Sequence, residues 1–220
     1  MNILGIFKKK EENKKNILSN KASVCEDKPK PQEILVIGLG NPGSGYANTR
    51  HNIGFMVLDE YALVRGFDFV SEKTFDVADQ ERSSSAVVLL KPQTFMNKSG
   101  EPMAQYLKYN PTPDQIIIVQ DDMDMDLGKI RLQSDGGTAG HNGLKSLLQH
   151  WPKDTNVPMY RIKIGLVTEE TRQFRKEAPD KFVLGRFTEA ERDQLPKIID
   201  RAVTKIDQIV TEGFEKATSR

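Results

Sequence analysis

Residues 33–39 (EILVIGL), 85–91 (SAVVLLK), 115–120 (QIIIVQ) and 159–166 (MYRIKIGL) are short runs rich in Val, Ile and Leu. Such runs mark strands buried on both faces of a sheet. Further strand-like runs fall at 67–71, 75–79, 128–133 and 181–185. Between them the spacing turns helical. Over 52–65, Ile53, Met56, Val57, Tyr61 and Val64 share one face, and Gly66 is placed to end the run. Helices are also predicted near 99–109, 142–150 and 189–213. Thr188 and Glu191 have capping-box spacing at the start of the last one, and Pro196 falls where it kinks or splits that helix. Strands interleaved with helices predict an α/β fold: a single domain with a mixed central β-sheet flanked by helices on both faces. Ligands of such sheets bind beyond the carboxyl ends of the strands. Three strands run out into polar side chains there: Asn41, Asn97, and Asp121 with Asp122.

Composition narrows the class. The 220 residues are 37% apolar and 29% charged, the balance of a soluble globular protein with room for a full core. No stretch approaches the roughly 18 apolar residues of a membrane helix, so no membrane association is expected. Cys25 is the only cysteine, which leaves no internal disulfide and suits a reducing compartment. Residues 1–31 carry eight Lys against four acids; with the whole chain at +1, the remainder is at −3. This segment reads as a flexible, Lys-rich N-terminal extension, and 32–220 as the folded domain. Its lysines follow the apolar "ILGIF" rather than preceding it, and no Arg occurs before Arg50. That order fits neither a secretory signal nor an organellar presequence, and it predicts a cytoplasmic protein.

Gly38, Gly40 and Gly43 have the G-x-G-x-x-G spacing of a dinucleotide-binding loop. That fingerprint also needs a helix starting inside the loop and a carboxylate ending a second strand. Here Pro42 and "GSGYANTR" continue the loop, and Asp59 falls within the predicted helix, so the context fails. The loop instead gathers Asn41, Tyr46, Arg50, His51 and Asn52. His51 sits at the predicted helix start, where the amino terminus disfavours imidazolium and keeps the ring neutral, as a general base requires. Asp121, Asp122, Asp124 and Asp126 lie within six positions, but Leu127 and Gln133 occupy the glycine and glutamate positions of a calcium loop. Asp124 and Asp126 therefore read as a solvated turn, whereas a carboxylate at the strand end is placed to orient an imidazole. Gly136, Gly137, Gly140 and Gly143 form a loop that presents His141 and Asn142 at a helix start, where both also suit capping.

Together, "GLGNPGSGYANTRHNIG" (38–54), "KPQTFMNKSG" (91–100), "DDMDMDLGKIRL" (121–132) and "GTAGHNGLKS" (137–146) resemble the bacterial-type peptidyl-tRNA hydrolase family in order and spacing. The resemblance continues more weakly to residue 220. It implies cleavage of the ester that joins a stalled peptide to the 3′-terminal ribose of tRNA, by a monomer needing no metal or cofactor. It implies His51 as catalytic base, Asp121 as the carboxylate that orients it, and Asn41, Asn97 and Asn142 as holders of substrate and water. Tyr46, Met96 and His141 would line the groove for the peptide and the 3′ CCA end, with the oxyanion falling to Asn41 or Asn97. Lys129, Arg131, Lys145, Arg161 and Lys163 are candidates for acceptor-stem phosphates. The chain departs from the family at Gln133, where a basic residue is usual, and at "GLVTEE", which lacks the usual G-x-G-x-P; 168–180 is expected to be a loop. Relatives in plant organelles act as splicing factors, so a non-catalytic RNA-binding protein is the alternative.

Overall fold

The structure is a computed structural model that describes residues 32–81, 85–134, 136–152 and 155–219; the expected N-terminal extension lies outside the described residues. Seven strands form one sheet in the order β2-β3-β4-β1-β5-β7-β6. They are β1 (Gln32–Gly38), β2 (Val70–Ser71), β3 (Phe75–Glu81), β4 (Ser85–Pro92), β5 (Gln115–Asp126), β6 (Ile130–Gln133) and β7 (Met159–Val167). The β1–β4, β1–β5 and β5–β7 pairs are parallel; β2–β3, β3–β4 and β6–β7 are antiparallel, so the sheet is mixed.

Alternation along the central strands assigns each residue to a face. Ile34, Val36, Ile117 and Val119 join one apolar cluster with Val57, Leu58 and Tyr61 of α1 (Ile53–Arg65) and Ala202, Val203 and Ile206 of α7 (Leu195–Glu212). Leu35, Ile37, Ile116 and Ile118 join the other with Met103 and Tyr106 of α2 (Gly100–Tyr109) and Leu144 and Leu147 of α3 (Asn142–Gln149). Helices thus cover both faces. Each such fully buried aliphatic side chain contributes about 1.5–3 kcal/mol.

The glycines after β1 serve close packing. A Cβ on Gly38 would come within 2.6 Å of the Gly54 carbonyl, and one on Gly40 within 2.6 Å of the Phe55 ring. α1 therefore seats directly on the end of β1. Gly66, with φ 72°, closes α1 as its spacing predicts.

Several expectations are corrected. Residues 181–185 are not a strand but lie within and just after α5 (Pro179–Leu184), which opens on Pro179 with Asp180 in its first turn. The expected loop 168–180 contains α4 (Arg172–Glu177). The predicted 189–213 helix is divided into α6 (Glu189–Arg192), which carries the full Thr188–Glu191 capping box, and α7, where Pro196 lies in the first turn. α8 (Phe214–Thr218) follows. β5 does not stop at Gln120; it runs to Asp126 because β7 continues to pair with it, with an irregularity between Asp122 and Asp126. Asp124 and Asp126 are therefore strand residues rather than a solvated turn.

Candidate active site

The loop leaving β1 returns through a 3-10 turn, Arg50–Asn52, into α1. Asn52 fixes that return: its Oδ1 accepts from the Asn41 main-chain N–H and its Nδ2 donates to the Asn41 carbonyl, both at 2.9 Å. Asn41 in turn accepts the Met96 main-chain N–H on Oδ1 at 2.8 Å. Next to His51, the buried Arg50 places Nη2 2.6 Å from Glu191 Oε2, with Nε bonding the other carboxylate oxygen at 3.3 Å. Its guanidinium lies 4.7 Å from the Phe182 ring centroid, and Nη1 donates to the Phe182 carbonyl. These contacts lock α5 and α6 against the turn that carries His51.

At the centre His51 Nδ1 lies 2.8 Å from Asp121 Oδ1, and His141 Nε2 lies 3.0 Å from the same oxygen. His141 is the N-cap of α3: its Nδ1 accepts the N–H groups of Gly143 and Leu144. A ring nitrogen that accepts two N–H groups carries no proton, so His141 is neutral and gives its Nε2–H to Asp121. Asp121 is likewise the acceptor of the His51 Nδ1–H. The free lone pair of His51 is then on Nε2. The three side chains present donor atoms within 4.8 Å of one another, as a metal site would, but both nitrogens direct their hydrogens at one carboxylate oxygen. That is the use of a proton-holding triad.

Burial opposes charge on both partners. For His51 burial lowers the pKa, but the Asp121 carboxylate, its hydrogen bond and the more distant Asp180 outweigh it and raise the pKa overall. The helix-terminus argument for a depressed His51 is thus overturned by two carboxylates. For Asp121 burial raises the pKa, and His51 and His141 more than reverse it, holding the carboxyl well below the ordinary range.

His51, Asp121, His141 and the exposed Asn142 line one cavity of about 60 Å³, walled also by Asp122, Lys163 and Asp180. Asn41 does not line this cavity; its Oδ1 accepts the Met96 N–H. Met96 itself is buried in the core of the second face rather than lining a groove, and it reaches the site through its main-chain N–H. Tyr46 is half-buried and packs edge-on to the exposed Phe95 at 6.2 Å. Asn97 is exposed on the 3-10 turn Met96–Lys98 and lines neither described cavity. Arg131, on edge strand β6, and Lys145, on α3, are exposed. Arg161 is buried and donates to the Gly137 carbonyl, and Lys163 pairs with Asp122 at 2.6 Å, so neither is a surface phosphate contact. Lys129 pairs with Asp126. Sequence reasoning gave Asn52 and Asp180 no role. Adjacency to His51 marked the first; nothing local marked the second, because α5 was not anticipated.

The sheet, with two imidazoles meeting one carboxylate midway along β5, has the arrangement of a hydrolase-type site. The chain belongs to the peptidyl-tRNA hydrolase family, whose model matches residues 35–220. It is similar to the peptidyl-tRNA hydrolase of Synechococcus sp. (strain CC9902), 40% identical over 84% of this chain and 91% of the relative. It is 38% identical to the peptidyl-tRNA hydrolase of Mycobacterium tuberculosis (strain ATCC 25618 / H37Rv) over 86% of this chain and 97% of the relative. The crystal structure of the Acinetobacter baumannii peptidyl-tRNA hydrolase superposes with a TM-score of 0.72 at 31% identity, covering 87% of this chain and 96% of that one. No described helix is long and apolar enough to cross a membrane.

Proposed function

We propose that this chain hydrolyses the ester between a peptide and the 3′-terminal ribose of tRNA, releasing peptide and tRNA from stalled translation. The observation that carries this reading is His51 held through Nδ1 by Asp121 at 2.8 Å, which in the neutral ring leaves Nε2 as the base. Its free Nε2 takes a proton from water as the oxygen attacks the ester carbonyl. The carbonyl oxygen gains the negative charge and is met by amide donors. Asn41 is suited to this because its Oδ1 is already engaged by Met96, which orients the Nδ2 hydrogens. As the tetrahedral intermediate collapses, His51 returns the proton to the departing ribose oxygen, leaving a peptide carboxylate and a free ribose hydroxyl. His141 steadies Asp121 from the other side. Asn142, at the cavity edge, and the exposed Asn97 hold water and the 3′ CCA end, with Tyr46 against the substrate. Arg131 and Lys145 meet acceptor-stem phosphates. The protein acts as a cytoplasmic monomer.

The test is release of N-acetyl-aminoacyl groups from tRNA by the purified protein. Turnover that falls on the order of 10²–10⁴-fold in His51→Ala supports the reading. Tight tRNA binding without release by the unmodified protein favours the RNA-binding alternative and refutes it.

A further inference from the structure

The carboxylate that holds His51 is itself met by a loop. Residues 136–141 lie between β6 and α3, and the last of them, His141, donates Nε2–H to Asp121 at 3.0 Å. The backbone does not take this path by preference. Gly136 has φ 110° and Gly140 φ 79°, and Ala139 between them, at φ 48°, is alone among the described residues in having positive φ without being glycine. A Cβ disfavours that conformation, so it persists only where the surroundings impose it.

Both ends of the loop are tied down. At the far end His141 caps α3, and its main-chain N–H donates to the Thr138 carbonyl at 2.9 Å. At the near end stands Arg161, on β7 directly opposite Gln133, the last residue of β6. Its side chain is buried, and Nη1 donates to the Gly137 carbonyl at 2.9 Å. Gly136 permits this close approach: a Cβ there would lie 2.3 Å from Gln133 Nε2 and 3.0 Å from Arg161 Nη2. β7 also pairs with β5, Arg161 opposite Ile118 and Ile164 opposite Asp121. The anchor of the loop and the carboxylate that its tip meets therefore stand on one pair of hydrogen-bonded strands.

We propose that Arg161 is a positioning residue of the active site: by fixing Gly137 it keeps His141 on the Asp121 oxygen that also serves His51. This rests on the hydrolase reading given above for its effect on turnover, whereas its effect on His51 is present in the resting protein. Each hydrogen bond that Asp121 Oδ1 accepts disperses its charge. With His141 drawn away the carboxylate is left to His51 alone, and the imidazolium is favoured further. The other charges around His51 stand apart from this link. Asp180 faces it from α5, Asp122 is paired with Lys163, Asp124 with Arg175, and Arg50 with Glu191. Arg161 itself lines the cavity, so loss of its charge would also favour the imidazolium, and charge has to be separated from placement.

The experiment titrates the His51 ring protons by NMR and follows the acid limb of kcat/KM for N-acetyl-aminoacyl-tRNA. It compares the unmodified protein with Arg161→Met and Arg161→Lys, and makes the same two changes on a His141→Ala background. Lys keeps the charge but not the planar fork, and it decides the comparison where Arg161→Met does not fold. The expected result is a displacement to higher pH of about half a unit, a roughly threefold loss of kcat/KM on the acid limb, with no further displacement once His141 is gone. Hydrogen exchange at the Gly143 and Leu144 amides, which His141 Nδ1 accepts, should quicken in the single variants. A displacement as large on the His141→Ala background shows Arg161 acting by charge alone and overturns the proposal. So does a titration unmoved in both variants, or unchanged exchange at the two amides. Failure of the unmodified protein to release the ester, with the His51 titration displaced as expected, overturns the hydrolase reading and leaves the placement of His141 by Arg161 standing.

Discussion

The proposed mechanism needs His51 neutral, yet its surroundings favour its charged form, because Asp121 and Asp180 outweigh burial. Activity should therefore rise with pH along a limb centred above the ordinary histidine value of about 6.5. Asp180→Asn removes one of the two carboxylates without touching the hydrogen bond to Nδ1. The acid limb of kcat/KM should then move to lower pH, whereas Asp180→Glu should leave it in place. The sign for stability is opposite to that for activity. A raised native pKa makes His51 contribute stability fully below about 6.5 and lose it as pH rises through the native value. Asp121, with its pKa lowered, contributes above the unfolded carboxylate range and loses it as pH falls. His141 is held at both ring nitrogens. Its replacement by Ala removes the cap of α3 and leaves Asp121 a donor short, an expected loss of about 2–4 kcal/mol read by urea denaturation.

At the scale of elements, the turn carrying His51 is held by the α5–α6 segment through Arg50 and Glu191, both almost fully buried. Glu191→Ala leaves a buried guanidinium without its counter-charge and should cost about 3–5 kcal/mol in denaturant unfolding. An Arg50→Met, Glu191→Leu double change should cost far less than the sum of its singles, because it removes both charges together. This part of the molecule was hardly legible in the sequence. "FVLG" has strand-like residues, and only tertiary contact, with Phe182 under Arg50 and Val183 at the cavity, makes the segment helical. The extension of β5 was hidden for a related reason. Asp122, Asp124 and Asp126 fall on one face, where Lys163, Arg175 and Arg172 meet them, and those partners come from β7 and α4. The long elements β1, α1, β4 and α2 were legible because their own periodicity carries them.

Across the whole molecule, His51, Asp121, Asn41, His141 and Asn142 stood out by motif, but their joining did not: the sequence cannot show two imidazoles sharing one carboxylate oxygen across 70 and 20 positions. The basic surface was read least well, since Arg161 and Lys163 proved internal. What remains has a consequence for substrate binding. The folded domain carries a net charge of −3, so attraction to a polyanion rests on a local cation patch rather than on the overall field. Arg131, Lys145 and Lys129 are its exposed members among the candidates, and of these Lys129 is paired with Asp126. If each neutralises one phosphate, Arg131→Gln and Lys145→Gln should each lower the magnitude of the log KM against log salt slope by about 0.7–0.9. The loss should be alike for tRNAs of different sequence, because phosphate contacts position without reading bases. Lys163→Gln should behave otherwise: it strips Asp122 of its partner at the cavity wall, so its effect should fall on kcat and stability and leave the salt slope unchanged. A slope that moves with Lys163 and not with Arg131 or Lys145 would place the phosphate track along the cavity rather than on the outer face of the sheet edge and α3.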